Sequence, residues 1–190
     1  TMFKGSAFIL IGGKSERFNS PKWKAVIGGD SVLNRLWNVC SNFENRFVVG
    51  KEKPENLNKL FIHDEFGLQA PINGLYTALK HTETDWNLLL SCDLPLMDAN
   101  VFKVLWDAKT NKSNLVIPII NDRFQGTCAL YHKCILPLVE SAIDRSEYSL
   151  FSLANKVSPI KINFINDNRF WNMNTKKDYK QIIKYVSKQN

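Results

Sequence analysis

An α/β fold, with a mostly parallel central sheet and helices on both faces, is predicted by this sequence of 190 residues. Three observations predict it. Apolar runs of strand length alternate with stretches of helical periodicity through the first two thirds of the chain. Several of the strand runs, Trp86-Asn87-Leu88-Leu89-Leu90-Ser91-Cys92 above all, are apolar at consecutive positions, as expected of strands covered on both faces. The polar punctuation at Gly12-Gly13, Asp64 and Asp93 then falls at the carboxyl ends of such runs, where sheets of this kind bind ligands.

In chain order, residues 7–11 form the first strand. Residues 31–42 form a helix, because Val32, Leu33, Leu36, Trp37 and Cys40 recur at helical spacing behind Asp30 or Ser31 as N-cap. A short strand at 46–49 precedes a loop, or a short helix opened by Pro54, over 51–58. Residues 60–63 form a strand ending at Asp64, and 73–81 a helix led in by Pro71. The buried strand at 86–92 stops at Asp93-Leu94-Pro95. A helix at 100–108 and a strand at 115–120 follow. The later third reads as strand 125–132, helix 133–143, short helix 150–155, strand 160–165, and a helix from Thr175. No repeat, low-complexity tract or Gly/Ser linker divides the chain, so residues 1–190 are expected to form a single domain.

The formal charge of +7 raises the question of nucleic acid. Much of the excess lies in Lys176, Lys177, Lys180, Lys184 and Lys188, interleaved at helical spacing with Tyr179, Ile182, Ile183 and Val186. That is the wet face of an amphipathic helix, with no nucleic-acid signature beside it. No apolar run spans a bilayer and none suits a secretory signal, so a cytoplasmic protein with no membrane partner is expected. Cys40, Cys92, Cys128 and Cys134 show no zinc spacing and are expected to be buried free thiols.

Chemistry concentrates in three places. The first strand closes on Gly12 and Gly13, whose backbone N–H groups can approach a ligand closely, and Lys14, Arg17 and Lys22 follow as a cationic loop suited to phosphate. Alone, a diglycine is more often an ordinary tight turn; the cationic cluster and the acidic motif downstream shift the balance to nucleotide. Asp93 is either a turn cap or a hard oxygen ligand for Mg²⁺, which binds through one or two carboxylates plus substrate phosphates. Asp64 is either an Asx turn or an acceptor for a base or ribose. Gly74, behind Pro71, would let a ligand or another backbone lie close. Asn172 is a candidate ligand contact, while Asn174 or Thr175 caps the last helix with Asp178. Hydrolase triads, zinc-protease motifs and Walker-A loops are absent from the sequence.

In this order the motifs resemble the MobA family of molybdenum cofactor guanylyltransferases, within the nucleotidyltransferase superfamily. The likeness rests on Leu10-Ile11-Gly12-Gly13-Lys14-Ser15-Glu16-Arg17-Phe18-Asn19, on Ala70-Pro71-Ile72-Asn73-Gly74, on Cys92-Asp93-Leu94-Pro95, and on Asn172 through Asp178. It implies a Rossmann-like nucleotidyltransferase fold and the transfer of GMP from GTP to molybdopterin, releasing pyrophosphate. It also implies nucleotide contacts at Leu10, Ile11, Gly12, Gly13, Lys22, Asp64, Gly74 and Asp93, with catalysis by Arg17, Lys22 and Asp93. Mg²⁺ would sit on Asp93, and the pterin on Asn172 and Asn174. Molybdoenzymes or cofactor-pathway proteins are the partners such an enzyme would serve. The double glycine and the Pro-x-x-Gly step resemble guanylyl more than cytidylyl transferases; a cytidylyl or sugar-phosphate transferase, or a silent nucleotide-binding scaffold, are the alternatives. Four positions depart from the family pattern: Ile11 for alanine, Asn19 and Ala70 for glycines, and Gly50 for an asparagine of some members. Lys24 competes with Lys22 as the functional lysine.

Overall fold

A computed structural model describes residues 2–12 and 19–189. Its elements are β1 (Phe3–Leu10), β2 (Val26–Ile27), β3 (Asp30–Ser31), α1 (Val32–Val39), β4 (Phe43–Gly50), β5 (Phe61–His63), α2 (Pro71–His81), β6 (Trp86–Ser91), α3 (Ala99–Asp107), β7 (Leu115–Ile120), β8 (Arg123–Phe124), β9 (Cys128–His132), α4 (Leu136–Asp144), α5 (Leu150–Ala154), β10 (Pro159–Phe164) and α6 (Lys176–Ser187). The sheet runs β10-β7-β9-β6-β1-β4-β5, with β8 added on β7. β9 pairs antiparallel with both β6 and β7, while the pairings β1 to β4, β1 to β6, β4 to β5 and β7 to β10 are parallel.

Side-chain alternation divides the core between the two faces. Ala7 and Ile9 of β1, with Leu88 and Leu90 of β6, pack against Leu36 of α1, Phe102 of α3 and Ile182 of α6. Their neighbours Phe8 and Leu89 pack on the opposite face against Leu75 of α2 and Val139 of α4. Each such buried leucine or phenylalanine stabilises the fold by about 1.5–3 kcal/mol. The consecutive apolar positions in the sequence are therefore two interleaved faces, each covered by helices.

Most expected elements form, and the differences have local causes. The strand expected from residue 125 begins at Cys128, because Gln125 to Thr127 form a turn in which Cys128 N–H donates to Gln125 O at 3.3 Å. The helix expected at 133–143 opens as a 3₁₀ turn, Lys133–Ile135, ahead of Pro137 in the first turn of α4. Thr175, not Asn174, caps α6, and Asp178 returns a bond to its backbone in a full capping box. Cys40, Cys92 and Cys128 are buried free thiols, but Cys134 is exposed, since it lies in the solvent-facing 3₁₀ turn. Among the described residues no helix is long and apolar enough to cross a membrane.

Candidate active site at the carboxyl edge of the sheet

Every parallel strand delivers its end to one edge. β1 ends in Leu10, Ile11 and Gly12; β4 in Gly50 and Lys51; β5 in Asp64; β6 in Ser91 and Asp93. Because β9 runs the other way, its leading residue Thr127 arrives at the same edge, and Ser91 N–H donates to Thr127 O at 2.9 Å. A cavity of about 280 Å³ results, lined by Leu10, Gly12, Asp64, Gly74 and Asp93, with Lys51, Gln69, Ser91 and Thr127 among its other walls. Of the expected residues, Gly13 and Arg17, with Lys14, lie outside the described residues. Lys51, Gln69 and Thr127 were not anticipated. Lys51 follows from the same strand-end rule as Asp64, whereas Thr127 depends on the direction of β9.

Lys22 joins the two halves of the site. It opens a 3₁₀ turn, Lys22–Lys24, after Pro21, and its Nζ donates to Asp93 Oδ1 at 2.6 Å and to Asn174 Oδ1 at 2.8 Å. Lys24 points elsewhere, its Nζ 5.1 Å from the centre of the Trp23 ring. Of the two candidate lysines, Lys22 alone is placed against Asp93. The loop holding Asn172 and Asn174 is pinned by Met173, fully buried between them, whose N–H donates to Asp93 O at 2.8 Å. Asn174 reaches the Lys22–Asp93 pair. Asn172 instead faces a separate cavity of about 620 Å³ with Asn121, Arg123, Gln125 and Asn168. The two asparagines also share a third cavity of about 310 Å³ with Asp178 and Gln181, so only Asn174 meets the Lys22–Asp93 pair while both line the surface beside it.

Asp64 holds an unusual carboxylate. Its Oδ1 is buried without a hydrogen-bond partner, and its Oδ2 would lie 3.8 Å from a Cβ placed on Gly12. Burial raises its pKa above the usual 3.8, with Lys51 and Thr77 pulling the other way. A turn cap would be satisfied by its own backbone, so an orphaned acceptor beside Gly12 favours a ligand contact over the Asx turn. A raised folded-state pKa means that the folded protein holds the proton more tightly than the unfolded chain. Asp64 therefore favours folding below its raised pKa and opposes it as pH rises through that value. Asp64→Asn is expected to raise the melting temperature at neutral pH while weakening nucleotide binding. The difference in melting temperature between the variant and the wild type, followed upward from pH 4, should grow with pH. A flat difference would show that the carboxylate is not strained.

Cys92 is no nucleophile. It is buried, burial and the neighbouring Asp93 push its thiol pKa up, and its N–H is held by Leu10 O at 3.2 Å. Gly74 has a reason different from the one expected. A Cβ there would lie 2.6 Å from Leu10 Cδ2 and 3.0 Å from Cδ1, so the glycine makes room for a partly buried leucine that packs on the core and lines the cavity. Replacing a helix-interior glycine by alanine ordinarily gains about 1 kcal/mol. Here Gly74→Ala is expected to cost about 1–3 kcal/mol of stability by overpacking, read as a lower denaturation midpoint at unchanged slope. Ala70 is also unstrained: with φ −148° and ψ 149° it is extended and needs no glycine. Asn19 does occupy the left-handed region, at φ 58°, which asparagine tolerates.

Residues 7–158 match the MobA-like NTP transferase domain. A protein of Aquifex aeolicus named "Probable molybdenum cofactor guanylyltransferase" is 32% identical over 183 residues, covering 94% of this chain and 90% of its own length. One of Bacillus cereus with the same name is 28% identical over 198 residues, covering 98% and 99%. Among solved structures, molybdopterin-guanine dinucleotide biosynthesis protein A from Archaeoglobus fulgidus superposes with a TM-score of 0.82 at 18% identity, covering 96% of this chain and 99% of that one. The last likeness speaks for the fold alone. With the family match spanning most of the sequence and the strand-end cavity in place, the chain belongs to the MobA-like NTP transferase family.

Proposed function

We propose that this protein transfers the GMP of GTP to the phosphate of molybdopterin, forming the guanine dinucleotide cofactor and pyrophosphate. The observation that carries the reading is the single ammonium of Lys22 between Asp93 on the nucleotide side and Asn174 on the loop assigned to the acceptor. A cation at that junction is adjacent to both reacting phosphates. It offsets their mutual repulsion as they are brought together in line. The attacking group is a phosphate monoester with a second pKa of about 6, so it is already dianionic near neutrality and no general base is required. Asp64 accepts a hydrogen bond from a ribose hydroxyl or a base N–H, and the backbone N–H at Gly12 approaches the phosphates.

Asp93 would hold Mg²⁺. The fit is one of donor chemistry: a half-exposed carboxylate at the cavity, with the Ser91 hydroxyl 3.1 Å from its backbone nitrogen. Among the described residues no three His, Cys, Asp or Glu are grouped to hold a metal, so a cation here would complete its shell with phosphate oxygens and water. When bound it would supply Lewis-acid stabilisation of the transferring phosphoryl group. The enzyme would work in the cytoplasm and pass its product to molybdoenzymes or other proteins of the cofactor pathway.

Thermal melts with Mg²⁺ and a nucleotide panel test the first half of the reading. Stabilisation by GTP is expected, and stabilisation by CTP but not GTP would replace the guanine assignment with a cytidylyl transferase. Pyrophosphate release on adding molybdopterin tests the second half. Nucleotide binding without release would leave a scaffold.

A further inference from the structure

Beside the cavity at Asp93 lies a larger one of about 640 Å³, and the two share Gly12, Lys51 and Gln69. The smaller cavity holds the carboxylates Asp64 and Asp93, acceptors for sugar hydroxyls and for a cation that would carry the phosphates, and Lys51, so it suits the sugar and phosphate end of a nucleotide. The larger one presents Ile11, Trp23 and Pro54, flat or apolar surfaces against which a heteroaromatic base can lie.

Two residues set the width of this second cavity. Gly50 is buried at the end of β4, and a Cβ there would lie 2.8 Å from Ile11 Cγ1, 3.3 Å from Ile11 Cδ1 and 3.6 Å from Phe61 Cε2. Its glycine answers a demand for space, since the positive-φ glycines among the described residues are Gly28 and Gly29. Ile11 cannot retreat by moving its backbone. Its N–H donates to Val49 O at 3.0 Å, next to Gly50, and Gly50 O in turn accepts from Asp64 N–H at 2.9 Å. A side chain at position 50 would therefore have to turn the β-branched Ile11 out of its rotamer, and the open space beside it is the cavity itself.

From this we infer that Ile11 and Gly50 act as one specificity-determining unit, in which the isoleucine side chain forms the wall of the nucleobase pocket and the glycine keeps that wall set back. The two departures from the family pattern then compensate each other: bulk moved from position 50 to position 11. The inference rests on the nucleotide reading above and concerns which residues gauge the base.

A double-mutant cycle on the full chain tests it, with affinities for GTP, ATP and CTP measured by calorimetry in the presence of Mg²⁺. Gly50→Ala is expected to weaken GTP binding about tenfold by driving Ile11 into the cavity. The double variant with Ile11→Ala should recover most of that loss. Ile11→Ala alone should weaken GTP binding by about threefold, less than Gly50→Ala does, and narrow the preference for GTP over the other nucleotides by about threefold or more. Additive losses in the double variant, or an unchanged preference in Ile11→Ala, would overturn the pairing. Should Gly50→Ala fail to fold, folding rescued by Ile11→Ala supports the pairing and no rescue overturns it. A wild-type protein that binds no nucleotide would sink the nucleotide reading and this inference together. GTP binding by the wild type with additive variants would sink the inference alone.

Discussion

Asp93→Asn is expected to remove turnover while leaving the protein folded. The backbone of residue 93 is held from both sides, its N–H by the Ser91 hydroxyl at 3.1 Å and its carbonyl by Met173 N–H at 2.8 Å, and neither bond needs the carboxylate. What the substitution removes is the charge. The Lys22 ammonium, now 2.6 Å from Oδ1, loses its ionic partner, and a neutral amide is a poor ligand for a hard dication. The side chain is 42% exposed, so the ion pair adds little to stability, and the melting temperature should stay within about 3 °C of wild type. Turnover, followed as pyrophosphate release at saturating GTP, should fall by on the order of 10²–10³-fold, the scale of losing one preorganised electrostatic contact to the reacting group. Its response to added Mg²⁺ should flatten. Near-normal turnover in the variant would take Asp93 out of the chemistry.

Lys22→Ala should act on both substrates, and Lys24→Ala on neither. The Lys22 side chain is 13% exposed and divides its donors between Asp93 and Asn174, so its loss opens the site at the seam between its two halves. A hydrogen bond to a charged group contributes about 1.5–3 kcal/mol, which converts to a roughly ten- to hundredfold weaker hold on the triphosphate. Titration of GTP into the variant measures that loss, and a rise in KM for the pterin substrate measures the other. Lys24, lying over Trp23, should change either constant by less than about threefold. If Lys24→Ala proves the damaging change, the assignment of the 3₁₀ turn is wrong.

Much of the fold was legible because its causes are local. The run at β6 is apolar at successive positions since both of its faces are covered, and the spacing of Val32, Leu33 and Leu36 is that of one buried helical stripe. The Thr175–Asp178 capping box is likewise a short-range pattern, and the structure forms it one position beyond Asn174. The edge bearing Gly12, Asp64 and Asp93 was legible too, because parallel strands carry their ends to the same side. The glycines were harder. Gly74 looks in the sequence like a place for a ligand or another backbone, and Gly50 only like a departure from the family pattern, yet each is small because a particular leucine or isoleucine from β1 or just beyond it occupies the space above it.

By itself, then, the chain of letters determined the alternation of elements, the meeting of Gly12 with the aspartate ends, and the family pattern, since each depends on periodicity or on motifs of a few residues. Only the tertiary structure decided that β9 runs backward and brings Thr127 to the site, that Lys22 rather than Lys24 meets Asp93, that Asn174 rather than Asn172 reaches that pair, and that Asp64 carries an unpaired buried oxygen. These are relations between side chains distant in sequence, such as Lys22 and Asn174. Their distances are set by how the sheet and its covering helices pack, which no local spacing encodes.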